Sequence, residues 1–224
     1  MPTTEFALLR LTSTPPNNEL LSSLSSAMRL QDAWHATHFP SHPSDAASRA
    51  AAWFEQVDDP SQIMTTARWE SVAAHWEWIR SDENIGVMEG LDRHIVAKET
   101  VLFHLDADIF GASAVSAESN VTPLDSPVIS VSRLSVLREQ KGAFTAKFDE
   151  VKGVLEEFAG QGFIRFGWRE DGEAEAKTEE FVAVCGWESV ERHLECAQSP
   201  GYFKYAEIRP LVAGADVKHY KRFL

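Results

Sequence analysis

Two histidines lie at matching places in a motif that occurs twice in this chain of 224 residues. The residues Trp-Glu-Ser-Val at 69–72 return at 187–190, and His75 and His193 each follow three residues behind the motif. On a helix that starts at the motif, each histidine shares a face with the valine. Because imidazole titrates near neutral pH, we predict His75 and His193 as catalytic acids or bases. The alternative is that both are partly buried structural histidines.

Three arginines interrupt segments that otherwise look like apolar strands: Arg10, Arg133 and Arg165. A buried cation is costly unless it has a partner. An acidic or phenolate-bearing ligand would be such a partner, so we predict substrate-binding roles for these arginines. The alternatives are ion pairs with Asp or Glu, or guanidinium groups that point outward at strand ends.

The chain is rich in tryptophan, with seven residues. Aromatic walls suit a flat, apolar ligand. We therefore predict that Trp53, Trp76 and Trp168 line a substrate pocket, with Tyr202 available to hold an oxyanion. Core packing is the alternative for each of them.

Some familiar chemistry has no signature in the sequence. Nucleotide-binding glycine loops, zinc-protease helices and nucleophile elbows are missing, so we predict no cofactor. His35, His38 and His42 are spaced by three and four residues but run into a proline-containing loop without a nearby cysteine. We interpret them as solvated loop residues and predict no metal site.

The charge of the chain restricts its partners. A formal net charge of -13 argues against nucleic acids, which are bound largely through Lys and Arg, and against anionic membrane surfaces. The sequence contains no apolar run near the ~20 residues of a membrane span and no basic leader followed by an apolar stretch. We therefore expect a cytoplasmic protein whose partner is a small apolar or aromatic molecule.

Hydrophobic spacing predicts the same order of elements, β-α-β-β-α-β, in both halves. In the first strands, Phe6, Leu8 and Arg10 match the pattern at Ile129, Val131 and Arg133. The predicted strands lie at 5–12, 50–57, 62–69, 100–110, 128–136, 162–169, 179–187 and 217–223. The main predicted helices lie at 18–36, 71–80, 84–94, 144–159, 189–197 and 202–211.

This order is the split βαβ, ferredoxin-like arrangement. We predict an α+β protein with one repeat at 1–110, a Ser- and Ala-rich linker at 111–127 and a second repeat at 128–224. Helices cover only one face of each sheet, so the other face needs a partner. Two repeats in one chain can supply that partner to each other as a pseudo-dimeric α/β barrel, which fits a monomer or a homodimer.

The repeated Trp-x-Ser-Val-x-x-His pattern, with Ser81 and Ser199 behind it, resembles the dimeric α/β-barrel superfamily. It is most similar to antibiotic-biosynthesis-monooxygenase (ABM)-like and stress-responsive A/B-barrel proteins. Ser-Pro-Gly-Tyr-Phe at 199–203 is similar to a helix break common in that group. The resemblance implies a pocket between helices and sheet, and a tandem arrangement like that of fungal members associated with secondary metabolism.

The resemblance implies a protein that binds an aromatic, polyketide-like molecule, or a cofactor-independent monooxygenase, cyclase or lyase that uses it. We expect one working pocket, with the second half favoured because Arg165, Trp168, His193 and Tyr202 all lie there. A non-enzymatic stress or scaffold protein is the first alternative. A haem-degrading monooxygenase, with His193 as iron ligand, is the second.

Overall fold

The computed structural model describes residues 1–110, 122–160, 164–172 and 175–224. These residues divide into two units. The first contains the described residues up to 110 together with Arg222–Leu224, and the second contains those from 122 to Lys221. Residues 111–121 of the predicted linker lie outside the described ranges. Residues 122–127, at the end of that linker, include a short 3-10 helix at Pro123–Asp125 that is closed by a capping box.

The first unit has a four-stranded antiparallel sheet in the order β4-β1-β3-β2. Its strands are β1 (Thr3–Arg10), β2 (Ala52–Gln56), β3 (Gln62–Trp69) and β4 (Val101–Leu105). Its helices are α1 (Asn18–His38), α2 (Val72–Ile79) and α3 (Asp82–Leu91), with a 3-10 turn at Ala97–Glu99.

The second unit repeats this topology, with its sheet in the order β8-β5-β7-β6. Its strands are β5 (Val128–Leu137), β6 (Ile164–Trp168), β7 (Thr178–Trp187) and β8 (Val212–Arg222). Its helices are α4 (Lys141–Val151), α5 (Gly153–Ala159), α6 (Val190–Gln198) and α7 (Tyr202–Tyr205), with 3-10 turns at Arg138–Gln140 and Ala206–Leu211. The α+β class and the two ferredoxin-like repeats are confirmed.

The core of each unit lies between its helices and one sheet face. In the first unit, Ala7 and Leu9 of β1 pack with Leu20 and Leu24 of α1. In the second, Leu134 and Val136 of β5 pack with an aromatic cluster that includes Phe144. The apolar alternation of each first strand therefore faces helices, as a half-covered antiparallel sheet requires.

The motif serine begins a helix in each unit, as predicted. The Ser71 side chain accepts a hydrogen bond from the Ala74 amide, and that of Ser189 accepts one from the Arg192 amide. Each hydroxyl satisfies one of the amides that a helix start leaves unpaired.

Two sequence predictions need correction. The helix predicted at 144–159 is two helices, α4 and α5, because Gly153, a poor helix former, follows their junction at Lys152. The alignment of the first strands is wrong by two residues. Since Thr3 pairs with Trp69 and Val128 with Trp187, Phe6 corresponds to Val131 rather than Ile129. A slip of two keeps every side chain on the same face, so alternation cannot detect it.

The last residues of the chain complete the first unit. The Phe223 amide donates to the Trp53 carbonyl at 3.0 Å, and the Trp53 amide donates to the Leu224 carbonyl at 3.1 Å. Strand β2 thus finds backbone partners along the side away from β3. Such pairing protects an otherwise open strand edge.

Candidate functional site

A stacked pair of rings, Trp69 and His75, forms the centre of the first unit's candidate site. Trp69 ends β3, and His75 lies one helical turn into α2. The two ring centroids are 4.5 Å apart and nearly parallel. A hydrogen bond of 2.7 Å joins His75 Nδ1 to Nε2 of His104 on β4, so one of these nitrogens carries the shared proton. His75 and His104 are both buried.

A buried carboxyl group completes the cluster. Glu5 of β1 lies directly opposite His104 in the sheet. Its Oε2 accepts a hydrogen bond of 2.6 Å from Trp69 Nε1 and lies 3.3 Å from His75 Nε2. Burial raises the pKa of Glu5 to about 7, although the Trp69 hydrogen bond acts in the opposite direction. A carboxyl group with this pKa is about half ionised at neutral pH, which suits it for proton transfer.

The Glu5–His75 pair borders a cavity of about 220 Å³ between the helices and the sheet. Apolar side chains form most of its wall, including Leu9, Met28 and Trp53. Thr100 also lines it, and its buried Oγ1 has no hydrogen-bond partner among the described residues. An apolar space with a few convergent polar groups is the usual form of a small-molecule site.

The second unit contains the same frame with one change. Trp187 stacks on His193 at 4.4 Å, and His193 Nδ1 is joined to His219 Nε2 at 2.8 Å. Ser130 takes the place of Glu5: it lies opposite His219, and its Oγ accepts the Trp187 Nε1 hydrogen bond at 2.9 Å. Burial, followed by the effect of His219, lowers the pKa of His193 to about 4. This imidazole is therefore neutral at pH 7.

The cavity beside His193 is larger, at about 600 Å³. Where the first unit has the ten-residue helix α3, the second has the four-residue α7 and a 3-10 turn. The cavity wall includes β8 residues such as Ala213 and Val217, and Val217 is exposed. Tyr202, Tyr205 and Arg209 also line this cavity.

The predicted residues of the first unit lie in different settings. Trp53 lines the cavity together with His75. Trp76, one position beyond His75, has 39% of its surface exposed. Arg10 has a half-exposed side chain that lies 3.6 Å from Asp59 and 3.5 Å from Glu99, which is the ion-paired alternative considered for it.

The predicted residues of the second unit are also divided. Tyr202 lines the cavity with His193. Trp168 is buried among core aromatic rings, 5.1 Å from Phe181. The Arg133 guanidinium pairs with Glu180, and that of Arg165 donates to the neighbouring backbone carbonyl of Ile164 at 2.8 Å. Arg133 thus has the ion pair considered as its alternative, and both side chains are partly exposed.

The three histidines near the end of α1 take separate partners. His38 Nδ1 lies 2.8 Å from the Trp34 carbonyl oxygen. His42 Nδ1 lies 2.9 Å from Glu70, whereas buried His35 is 3.6 Å from the same carboxylate. His38, the last residue of α1, and His42 are exposed, as the sequence suggested, whereas His35 is buried. Within the described ranges, no group of three or more His, Cys, Asp or Glu side chains is arranged to hold a metal ion.

Sequence reasoning missed four residues of the two clusters: Glu5, His104, Ser130 and His219. One signal for Glu5 was available, because it lies on the strand face that also carries Ala7, Leu9 and Leu11. A charged residue on an apolar face requires an explanation. His104 and His219 gave no comparable signal, since only the pairing of β4 with β1 and of β8 with β5 brings them to the site.

Comparison with known proteins identifies the fold and leaves the activity open. No protein-family model matches the chain, and no curated protein matches it by sequence. An anthrone oxidase-like protein of known structure is 12% identical, with 100% of this chain and 92% of that one covered and a TM-score of 0.64.

Two further solved structures match to a similar degree. A candidate monooxygenase from Lactobacillus acidophilus is 12% identical, with 99% and 93% of the chains covered and a TM-score of 0.59. A mutant chlorite dismutase from Candidatus Nitrospira defluvii is 10% identical, with 100% and 92% covered and a TM-score of 0.60. The chain therefore shares the fold of these proteins, with two ferredoxin-like repeats in tandem. None of the helices in the described ranges is both long and apolar enough to span a membrane.

Proposed function

We propose that the first unit binds a small, largely apolar aromatic molecule and exchanges a proton with it through Glu5. The observation that carries this proposal is the buried Glu5 carboxyl group at the cavity wall, with a pKa raised to about 7 and with His75 Nε2 3.3 Å away. A base whose pKa is near the working pH combines a useful ionised fraction with useful basicity.

The cavity wall favours a ligand of this kind. Apolar surface faces the space from Leu9, Met28, Trp53 and Leu102. A ligand that keeps water from this surface gains the free energy of hydrophobic burial. The unpartnered Thr100 hydroxyl can donate to a ligand oxygen without giving up an existing hydrogen bond. An aromatic ketone or phenol matches both features.

The two histidines provide a route for the proton. Ionised Glu5 takes a proton from carbon or oxygen of the ligand and can pass it to His75 Nε2. His75 then releases its Nδ1 proton to His104 Nε2 across 2.7 Å. The ligand is left as an enolate or phenolate, which can react with O2 or be protonated at another position. Oxygenation and isomerisation share this first step.

Placing the reaction in the first unit departs from the sequence expectation, which favoured the second. Ser130 has no carboxyl group, and a serine hydroxyl cannot hold a proton reversibly near pH 7. His193, with a pKa of about 4, is also a weaker base than Glu5. The similarity to an anthrone oxidase-like protein supports a polycyclic ketone as the substrate type, with identity of 12%.

Deuterium exchange tests the proposal directly. The protein is incubated in D2O with anthrone or 2-tetralone, aromatic ketones with acidic C–H bonds, and carbon-bound deuterium is measured by NMR. We expect exchange faster than in buffer, and a loss of about 10²-fold or more in Glu5→Gln, the usual range for removal of a general base. Glu77→Gln, an exposed carboxylate on α2, is the matched control.

Three results would contradict the proposal. Exchange that persists in Glu5→Gln would show that another group is the base. Binding of the ketone without exchange in the unmodified protein would favour the non-enzymatic alternative. Failure of both ketones to bind would exclude this substrate type for the first unit.

A further inference from the structure

The two cavities carry opposite charges. The first is bordered by Glu5, and its described lining residues include no Lys or Arg. The second is bordered by Arg209, and its described lining residues include no Asp or Glu. Ser130 replaces the carboxyl group at the one position where the paired frames differ. The difference in charge affects which ligand each cavity accepts. It does not depend on any proton transfer in the first unit.

We propose that the cavity of the second unit is a separate binding site for an aromatic anion, either a carboxylate or a phenolate. The aromatic body packs against Leu155, Ile164 and Leu194, and the anionic group is held by Arg209. Arg209 is well placed at the rim, since its guanidinium lies 5.6 Å from the ring of Tyr202, which also lines the cavity. A guanidinium gives a carboxylate two parallel hydrogen bonds.

Behind Arg209, the interior of the cavity presents hydrogen-bonding groups that carry no negative charge. Ser130 has 2% of its surface exposed and His219 has 8%, and both line the cavity. Their polar atoms offer hydrogen bonds without negative charge. In the first unit the ionised fraction of Glu5 would repel the same anion, because like charges a few ångströms apart in a poorly hydrated space interact strongly. The net charge of -13 makes adventitious anion binding elsewhere unfavourable.

Size separates the cavities as well. The second cavity is the larger, at about 600 Å³ against about 220 Å³ for the first, so it has room for an acidic group and its hydration beside a fused-ring body. The short α7 and the exposed β8 residues leave it an opening to solvent, so an ionised ligand can enter without crossing the core.

Calorimetric titration of the full chain with 2-naphthoate tests this inference, with neutral 2-naphthamide as the matched ligand. We expect saturable naphthoate binding, with the amide about tenfold weaker, because a charge-assisted hydrogen bond is worth roughly 1.4 kcal/mol more than a neutral one. Arg209→Gln should weaken naphthoate to the level of the amide and leave the amide unchanged.

A pair of blocking variants locates the site. Ala213→Trp fills the second cavity from an exposed strand position and should abolish naphthoate binding; Ala215→Trp is the substitute if that variant does not fold. Ala27→Trp fills the first cavity and should leave binding unchanged. The inference is overturned if naphthoate does not bind or binds no better than the amide. It is also overturned if naphthoate binding persists in both β8 variants or is lost in Ala27→Trp.

Discussion

One residue distinguishes the two units at their most similar point. Glu5 and Ser130 both accept a hydrogen bond from a buried tryptophan and both lie opposite a buried histidine. The serine is satisfied by that contact as a neutral group. The carboxyl group is removed from water, which favours its protonated form and raises its pKa to about 7.

Glu5→Gln should therefore change how stability depends on pH. The Glu5 pKa is higher in the folded protein than its ordinary 4.5, so its stabilising contribution is complete below about pH 4.5 and is lost as pH rises through about 7. The Gln side chain of Glu5→Gln does not titrate, so the variant does not lose this stability as pH rises. Relative to the unmodified protein, its free energy of unfolding should improve by up to about 3 kcal/mol between pH 4.5 and pH 7.5, as measured by urea denaturation. A constant difference across that range would show that Glu5 titrates normally.

The histidine pairs should differ in their sensitivity to truncation. His104→Ala removes the hydrogen bond of 2.7 Å to Nδ1 of fully buried His75 and should cost about 1–3 kcal/mol beyond the loss of packing. His219→Ala leaves His193, which is only partly buried and can bond to water, so the cost should be smaller. Chemical denaturation of both variants gives the comparison. Equal losses would argue that the first pair is no more isolated from water than the second.

At the scale of elements, the junction between third strand and second helix fixes each cluster. The strand ends on a buried Trp, the serine caps the helix, and the helix then places the histidine over the Trp ring. The elements that follow have diverged. Helix α3 contributes to the wall of the first cavity, whereas the shorter α7 borders the second, larger one.

Removing either cap tests the equivalence of these junctions. Ser71→Ala and Ser189→Ala should each cost about 1 kcal/mol of stability, because each hydroxyl accepts from an amide that has no other partner within its helix. Ser71→Asp and Ser189→Asp should retain most of this stability, since Asp is also a good helix cap. Thermal unfolding reports these effects. A loss confined to one unit would mean that the other helix start is held by its packing instead.

For the whole molecule, acid sensitivity should come from two histidines that full or partial burial keeps neutral. The pKa of His35 is lowered to about 4, mainly by burial and then by Arg49, and that of His193 is lowered to a similar value. Both groups take up protons more readily when unfolded. Stability should therefore fall as pH drops from about 6.5 to about 4, by up to about 1.4 kcal/mol per pH unit for each group.

Replacing either histidine with Gln should flatten this dependence. Denaturation of His35→Gln and His193→Gln at several pH values between 4 and 7 provides the measurement. The contribution of Glu5 to stability has the opposite sign in this pH window. The same measurements on Glu5→Gln therefore separate the effect of the histidines from that of Glu5. An unchanged slope in both His variants would assign the acid sensitivity to carboxylates.

The amino-acid sequence by itself determined the repeated element order, the α+β class and the start of a helix at each motif. These features follow from local periodicity and from the hydrogen-bonding needs of helix ends, both of which act over a few residues. It also drew attention to His75 and His193, because the motif that precedes them is duplicated. It could not distinguish a strand register from one shifted by two, since both leave the same side chains on the same face.

Only the tertiary structure decided the composition of the candidate sites. Glu5 and His104 are far apart in the chain and become neighbours through the pairing of β1 with β4. The raised pKa of Glu5 arises from its burial, which is a property of the packed core and of no local segment. The sequence therefore contained the histidines that repeat, and the fold selected the carboxyl group and the serine that make the two cavities different.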